Sequence, residues 1–128
     1  MRNKPEYEVC KSVATYLRLQ YPNIIYHFDL AGLNLSRAQA GMMKGIQGGK
    51  GFPDLFIVNR SLYGDYLGLF IEVKKQGFEL KKKRTDEYVN EHLAEQAKML
   101  KALENRGYRA SFGCGFDECK RIIENYLK

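Results

Sequence analysis

The chain has 128 residues, 45% of them apolar, with seven Phe, nine Tyr and a formal charge of +6. That length suits one hydrophobic core, so a single domain over residues 1–128 is expected, and the apolar fraction excludes intrinsic disorder. No run approaches the ~20 uncharged apolar residues of a membrane span, and the start at Met1-Arg2-Asn3-Lys4-Pro5-Glu6 lacks an apolar leader, so no membrane partner and a cytoplasmic location are expected.

In chain order, the first helix is expected from Pro5 to about Gln20, proline being favoured in a first helical turn. Its apolar stripe is Val9, Cys10, Val13 and Leu17. Extended backwards, the stripe reaches Glu6, whereas Glu8 falls on the polar side with Lys11, Ser12 and Thr15. Pro22-Asn23 ends this element, and Ile24–Phe28 reads as a strand. After Gly32 and Asn34, Ser36 is a good N-cap for a short helix to about Met43. The glycine-rich run Gly45–Gly51 lacks the spacing of a phosphate-binding P-loop.

A second strand, Asp54–Asn59, is nearly all apolar and therefore central. A turn over Leu62–Gly68 leads to a third strand, Leu69–Lys75. The basic run Lys81-Lys82-Lys83-Arg84 comes next, then a helix from Asp86 to Arg106 closed by Gly107. Tyr108–Gly113 makes a fourth strand and Asp117–Leu127 a last helix. The expected fold is α/β, a mixed sheet of about four strands flanked by helices.

The net positive charge favours a polyanionic partner, nucleic acid ahead of an anionic membrane surface, with plain solubility charge as the alternative. Cys10, Cys114 and Cys119 are an odd set and read as reduced thiols. Neither they nor His27 and His92 have the spacing of a structural zinc site.

The chemistry concentrates between residues 51 and 74. Side chains alternate along a strand, so Glu72 and Lys74 share one face while Leu69, Ile71 and Val73 take the other. Gly51-Phe52-Pro53 forms a turn that delivers Asp54 at the head of the preceding strand. If the two strands form a hairpin, the Asp54 and Glu72 carboxylates converge, and like charges at that distance call for a cation. Mg²⁺, a hard ion with oxygen ligands, is the natural tenant. Lys74 beside it could orient, or help deprotonate, water attacking phosphorus. The plain alternative is a solvated Glu–Lys pair of little consequence. On the later helix, Gln96 is the one polar member of the stripe Leu93, Ala97, Leu100, Leu103, and an inward amide needs partners.

The run Lys50-Gly51-Phe52-Pro53-Asp54-Leu55-Phe56-Ile57 followed by Leu69-Phe70-Ile71-Glu72-Val73-Lys74 resembles the PD-(D/E)xK nuclease core. More narrowly it is similar to the virus-type replication-repair nuclease (VRR-NUC) domain. The likeness covers nearly the whole chain, including the Glu-initiated first helix, Ser36-Arg37, Gln96, Gly107-Tyr108 and Gly115-Phe116-Asp117-Glu118. It departs in the long, basic stretch from Gln76 to Glu95 and in Cys10.

The resemblance implies a restriction-endonuclease-like fold and a DNA endonuclease dependent on Mg²⁺ or Mn²⁺. Asp54, Glu72 and the Val73 carbonyl would hold the metal, with Glu6 reaching it directly or through water. Lys74 would be the catalytic lysine, with Gln96 beside it. It further implies structure selectivity for branched DNA such as Holliday junctions, a homodimer, and a DNA-repair or phage setting in a bacterial or phage-infected host cytoplasm. A restriction-like or exonucleolytic enzyme, and a non-catalytic nucleic-acid-binding module, are the alternatives. Lys81, Lys82, Lys83 and Arg84, with Lys50, read either as phosphate contacts or as solvated charge. Arg37 and Lys44 are weaker candidates of the same kind.

Overall fold

The computed structural model describes residues 4–29, 36–46, 48 and 51–128. The expectations placed on Gly32, Asn34 and Lys50 lie outside them. The element order is α1 (Lys4–Gln20), β1 (Tyr26–Phe28), α2 (Arg37–Ile46), β2 (Leu55–Ile57), β3 (Leu69–Lys74), α3 (Glu91–Glu104), β4 (Arg109–Cys114) and α4 (Phe116–Leu127). This is the order expected from the sequence.

The four strands form one mixed sheet in the order β1-β2-β3-β4. The first two pairings are antiparallel and β3–β4 is parallel, with α3 as the connection. Alternation divides the sheet between two cores. Leu69, Ile71 and Val73 face α1 and α4, packing with Val13, Leu17, Leu55, Ile57, Cys119 and Ile123. Phe70 faces the other way and packs with Leu100 of α3, Ala110, Phe56 and Tyr108. The Phe56 ring stacks on that of Phe70 at 4.3 Å between centroids. Every residue of β3 is therefore buried.

Several boundaries differ from expectation. β1 starts two residues late because the Ile24 N–H is used in a turn, donating to the Tyr21 carbonyl. β2 stops at Ile57, where Val58 and Asn59 turn out to solvent. α2 runs three residues beyond Met43, its start set by Ser36 and Gln39: each side chain accepts the other's backbone N–H, at 3.1 and 3.0 Å.

The largest correction concerns α3, which begins at Glu91 and not at Asp86. Asn90 is its N-cap, the side chain accepting the Leu93 N–H at 2.9 Å. Residues 80–89 instead fold back as a short hairpin, with Lys81 bridged to Tyr88 and the Val89 N–H on the Leu80 carbonyl. Thr85 stabilises its turn by accepting the Glu87 N–H, and Tyr88-Val89 favour an extended backbone. At the other end the helix stops at Glu104, and Gly107 takes φ +97° two residues past the Asn105 cap.

Gly113 marks where β4 meets α4 most closely. A Cβ there would stand 2.6 Å from Cys119 Sγ and 2.9 Å from Ile71 Cγ2, both in the core. Neither neighbour can swing away, since Cys119 is fully buried and Ile71 is β-branched. Gly113→Ala should therefore cost about 1–3 kcal/mol through overpacking. Urea denaturation should show a lower midpoint at an unchanged m-value. A midpoint equal to the parent's would mean the helix can shift to make room.

Candidate active site

The register places the acids in a row. Phe28 pairs with Leu55 and Leu55 with Ile71. Continuing each ladder by one residue sets Asp29 opposite Asp54, and Asp54 opposite Glu72. The first step is closed by the Asp29 N–H donating to the Asp54 carbonyl at 2.7 Å. Residues directly opposite in an antiparallel pair share a face, so these side chains project toward the α3 side. Asp54 is fixed further by accepting the Val73 N–H through Oδ2 at 2.9 Å.

Glu72 and Lys74 follow Phe70 on that same face. They are 4% and 6% exposed, and Lys74 Nζ lies 3.7 Å from Glu72 Oε2. This is a buried pair, not the solvated one that pattern alone allowed. Asp54 is 7% exposed. The Phe78 ring lies 5.4 Å from Lys74 Nζ, adding a cation–π contact.

Gln96 lies one turn before Leu100 on α3, so both face the sheet. Its Oε1 is buried and makes no hydrogen bond among the described residues. The loop into Asp54 packs directly on this point of the helix. Gly51, at φ +74°, brings its Cα so near that an added Cβ would stand 3.2 Å from the Gln96 backbone. Phe52 closes the same side, edge-on to Phe70 at 5.4 Å.

Glu6 is half-buried at the start of α1, and Glu8 is exposed. Cys114 of β4 is the register partner of Lys74. Burial raises the Cys114 thiol above its usual range; Glu118 and Glu6 push it further up, and Lys74 draws it back. Glu6 and Lys74 thus both act on one side chain at the end of β4.

The basic run is exposed on the 80–89 hairpin, where much of its charge is already engaged. Lys82 pairs with Glu87 at 3.3 Å, and Lys81 Nζ lies 5.3 Å from the Tyr88 ring. The sequence pattern also missed Asp29 and Phe78. Asp29 follows His27 by two, which puts both on one face, but its position opposite Asp54 depends on a register that no local signal carries.

Among the described residues, no three His, Cys, Asp or Glu side chains are grouped to hold an ion. The donors that fit a hard divalent cation are the Asp54 and Glu72 carboxylates with the Val73 carbonyl, all oxygen. A surface cavity of about 180 Å³ is lined by Tyr63, Tyr66, Arg109 and Tyr126 beside the β2–β3 loop. None of the candidate residues lines it. No described helix is long and apolar enough to cross a membrane.

No protein-family model and no curated protein matches the sequence. Among solved structures, a "VRR_NUC domain protein" superposes with a TM-score of 0.63. The match covers 99% of this chain and 91% of that one, at 23% sequence identity. At that identity the likeness is one of fold: this chain is built as a VRR_NUC domain protein is, a four-stranded mixed sheet between helices.

Proposed function

We propose that the chain is a metal-dependent nuclease hydrolysing DNA phosphodiesters. The observation that carries this reading is the buried Glu72–Lys74 pair set beside Asp54 on adjacent antiparallel strands. Burying two carboxylates and an ammonium costs several kcal/mol in desolvation, so such a group stands out from surface charge. The likeness of fold supports the same reading.

Asp54, Glu72 and the Val73 carbonyl would hold Mg²⁺ or Mn²⁺. When bound, the ion supplies a Lewis acid that offsets charge developing on phosphoryl oxygens. The protein's own residues supply the rest. Glu72 holds the Lys74 ammonium in place, and Lys74 Nζ donates to the attacking water or to a phosphate oxygen, orienting it for in-line displacement. Gln96 Oε1, with no hydrogen bond among the described residues, would accept a hydrogen bond from that water or from Lys74. Glu6 adds negative charge near Cys114, the register partner of Lys74.

The similarity to VRR-NUC motifs extends the proposal to branched DNA, four-way junctions included, and to a homodimer that presents two such sites. The first test is nicking of supercoiled plasmid with Mg²⁺ or Mn²⁺, against the same reaction with EDTA. Ion-dependent nicking supports the reading. Tight DNA binding without cleavage in either metal would point to a binding module instead. A panel of junction, flap, splayed and linear DNA then tests the substrate class.

Glu6 and Glu8 provide an internal comparison two residues apart. Glu6→Gln should slow cleavage, and Glu8→Gln should not, because Glu6 is half-buried and acts on Cys114 beside Lys74, whereas Glu8 is exposed. A larger loss from Glu8→Gln in the same assay would refute the role given to Glu6.

A further inference from the structure

The chain leaves the sheet at Asp29 and returns at Asp54, and these two residues are hydrogen-bonded to each other. Between them the sequence holds Arg37, Lys44 and Lys50 and not one Asp or Glu. The 80–89 region is a different case. Between Glu79 and Glu95, four basic residues stand against three acidic ones, and Lys82 is already paired with Glu87. The longest stretch without an acid runs between Asp29 and the candidate catalytic Asp54, and its charged residues are all cations.

Within this excursion α2 buries no residue. Met43 alone in the helix is half-buried, which marks the side turned to the protein. At 100° per residue, the side turned away carries Ala38, Gly41 and Gly45. Arg37 and Lys44 form one edge of that outer face, about 10 Å apart along the axis, and Met42 lies on the other edge. Met42 is 72% exposed and Ile46 81%. A Cβ added at Gly41 or Gly45 would meet nothing within 4 Å.

We propose that α2 is a DNA-binding arm of the candidate nuclease site, with Arg37 and Lys44 seating two phosphates of the strand led toward Asp54. The inference rests on the nuclease reading. Charge complementarity selects the occupant: the outer face has cations and no acids, which suits a polyanion. A second copy of the chain would set like charges near one another across a two-fold axis. Met42, on the opposite edge, would lie against sugars or unstacked bases.

The test is fluorescence anisotropy of a labelled four-way junction and a duplex, in Ca²⁺ to withhold cleavage, across a salt series. Arg37→Gln/Lys44→Gln should weaken binding to both DNAs and flatten the slope of log affinity against log salt by about two units, roughly one per lost contact. The control is Lys101→Gln/Arg106→Gln, which removes the same charge at the far end of α3 and should leave the slope as it is. Gly41→Leu adds a side chain at a position whose Cβ meets nothing within 4 Å, so it should melt no lower than the parent yet lose DNA affinity.

A parent protein that cleaves DNA, with an Arg37→Gln/Lys44→Gln variant of unchanged slope, would overturn the arm while leaving the nuclease intact. Absence of cleavage by the parent in Mg²⁺ and Mn²⁺ would remove the nuclease reading and the arm with it. If Gly41→Leu instead changed the oligomer in sedimentation and left DNA affinity alone, the occupant of this face would be a second copy and the proposal would fall.

Discussion

Replacing Asp54 with Asn should abolish DNA cleavage in Mg²⁺ while leaving the protein folded and able to bind DNA. Asn retains a side-chain oxygen that can accept the Val73 N–H, the contact now made at 2.9 Å. What it loses is the negative charge that a divalent cation requires. Asp54→Ala should be equally inactive but less stable, since an orphaned buried N–H costs about 1–3 kcal/mol. Glu72→Ala should be inactive and the least stable of the three. It strands the Lys74 ammonium in a nearly closed site, and breaking a buried pair from one side costs about 3–5 kcal/mol. Plasmid nicking, DNA anisotropy and urea melts on the same preparations separate these effects. Cleavage by Asp54→Asn at the parent rate in Mg²⁺ would end the metal-nuclease reading.

Lys74→Ala should lose cleavage by a factor of about 10²–10⁴, the usual contribution of a positioned proton donor or acceptor. It should nevertheless keep its metal, because the carboxylates and not the ammonium supply the ligands. The variant places Asp54 and Glu72 together without their cationic neighbour, so their repulsion lowers its stability when no divalent ion is present. Adding Mg²⁺ or Mn²⁺ should then raise its melting temperature by more than it raises the parent's, because an ion that binds only the folded state stabilises it. Titration calorimetry with Mn²⁺ provides the direct reading. Loss of ion binding in Lys74→Ala would show that the lysine organises the metal site, contrary to the role assigned here.

The two largest effects fall on residues that were legible in the sequence, and the reason is local. Alternation along Leu69–Lys74 is enough to separate Leu69, Ile71 and Val73 from Glu72 and Lys74, whatever packs on either side. The apolar stripe of α1 is likewise a short-range signal, and it corresponds to the structure. Gly107 was legible too, because a positive φ beyond a helix end favours glycine in any fold.

Other features depend on what lies across space. Helical periodicity could not locate the start of α3, because the 80–89 hairpin is held by the pairing of Lys81 with Tyr88. The fate of the basic run was hidden for the same reason. Lys82 meets Glu87 only once the chain has turned, so a dense cluster of cations in the sequence becomes a partly neutralised one in the fold.

By itself, then, the sequence determined the element order, the face on which each strand residue lies, and the identity of the acid–acid–lysine set. These follow from backbone geometry and side-chain periodicity within a few residues. Only the tertiary structure decided that Glu72 and Lys74, a plausible surface pair, are buried. It also set Asp29 across from Asp54 and left α2 standing out in solvent between them. Register and burial are properties of surfaces brought together from distant parts of the chain, and no single stretch of sequence encodes which surface will meet which.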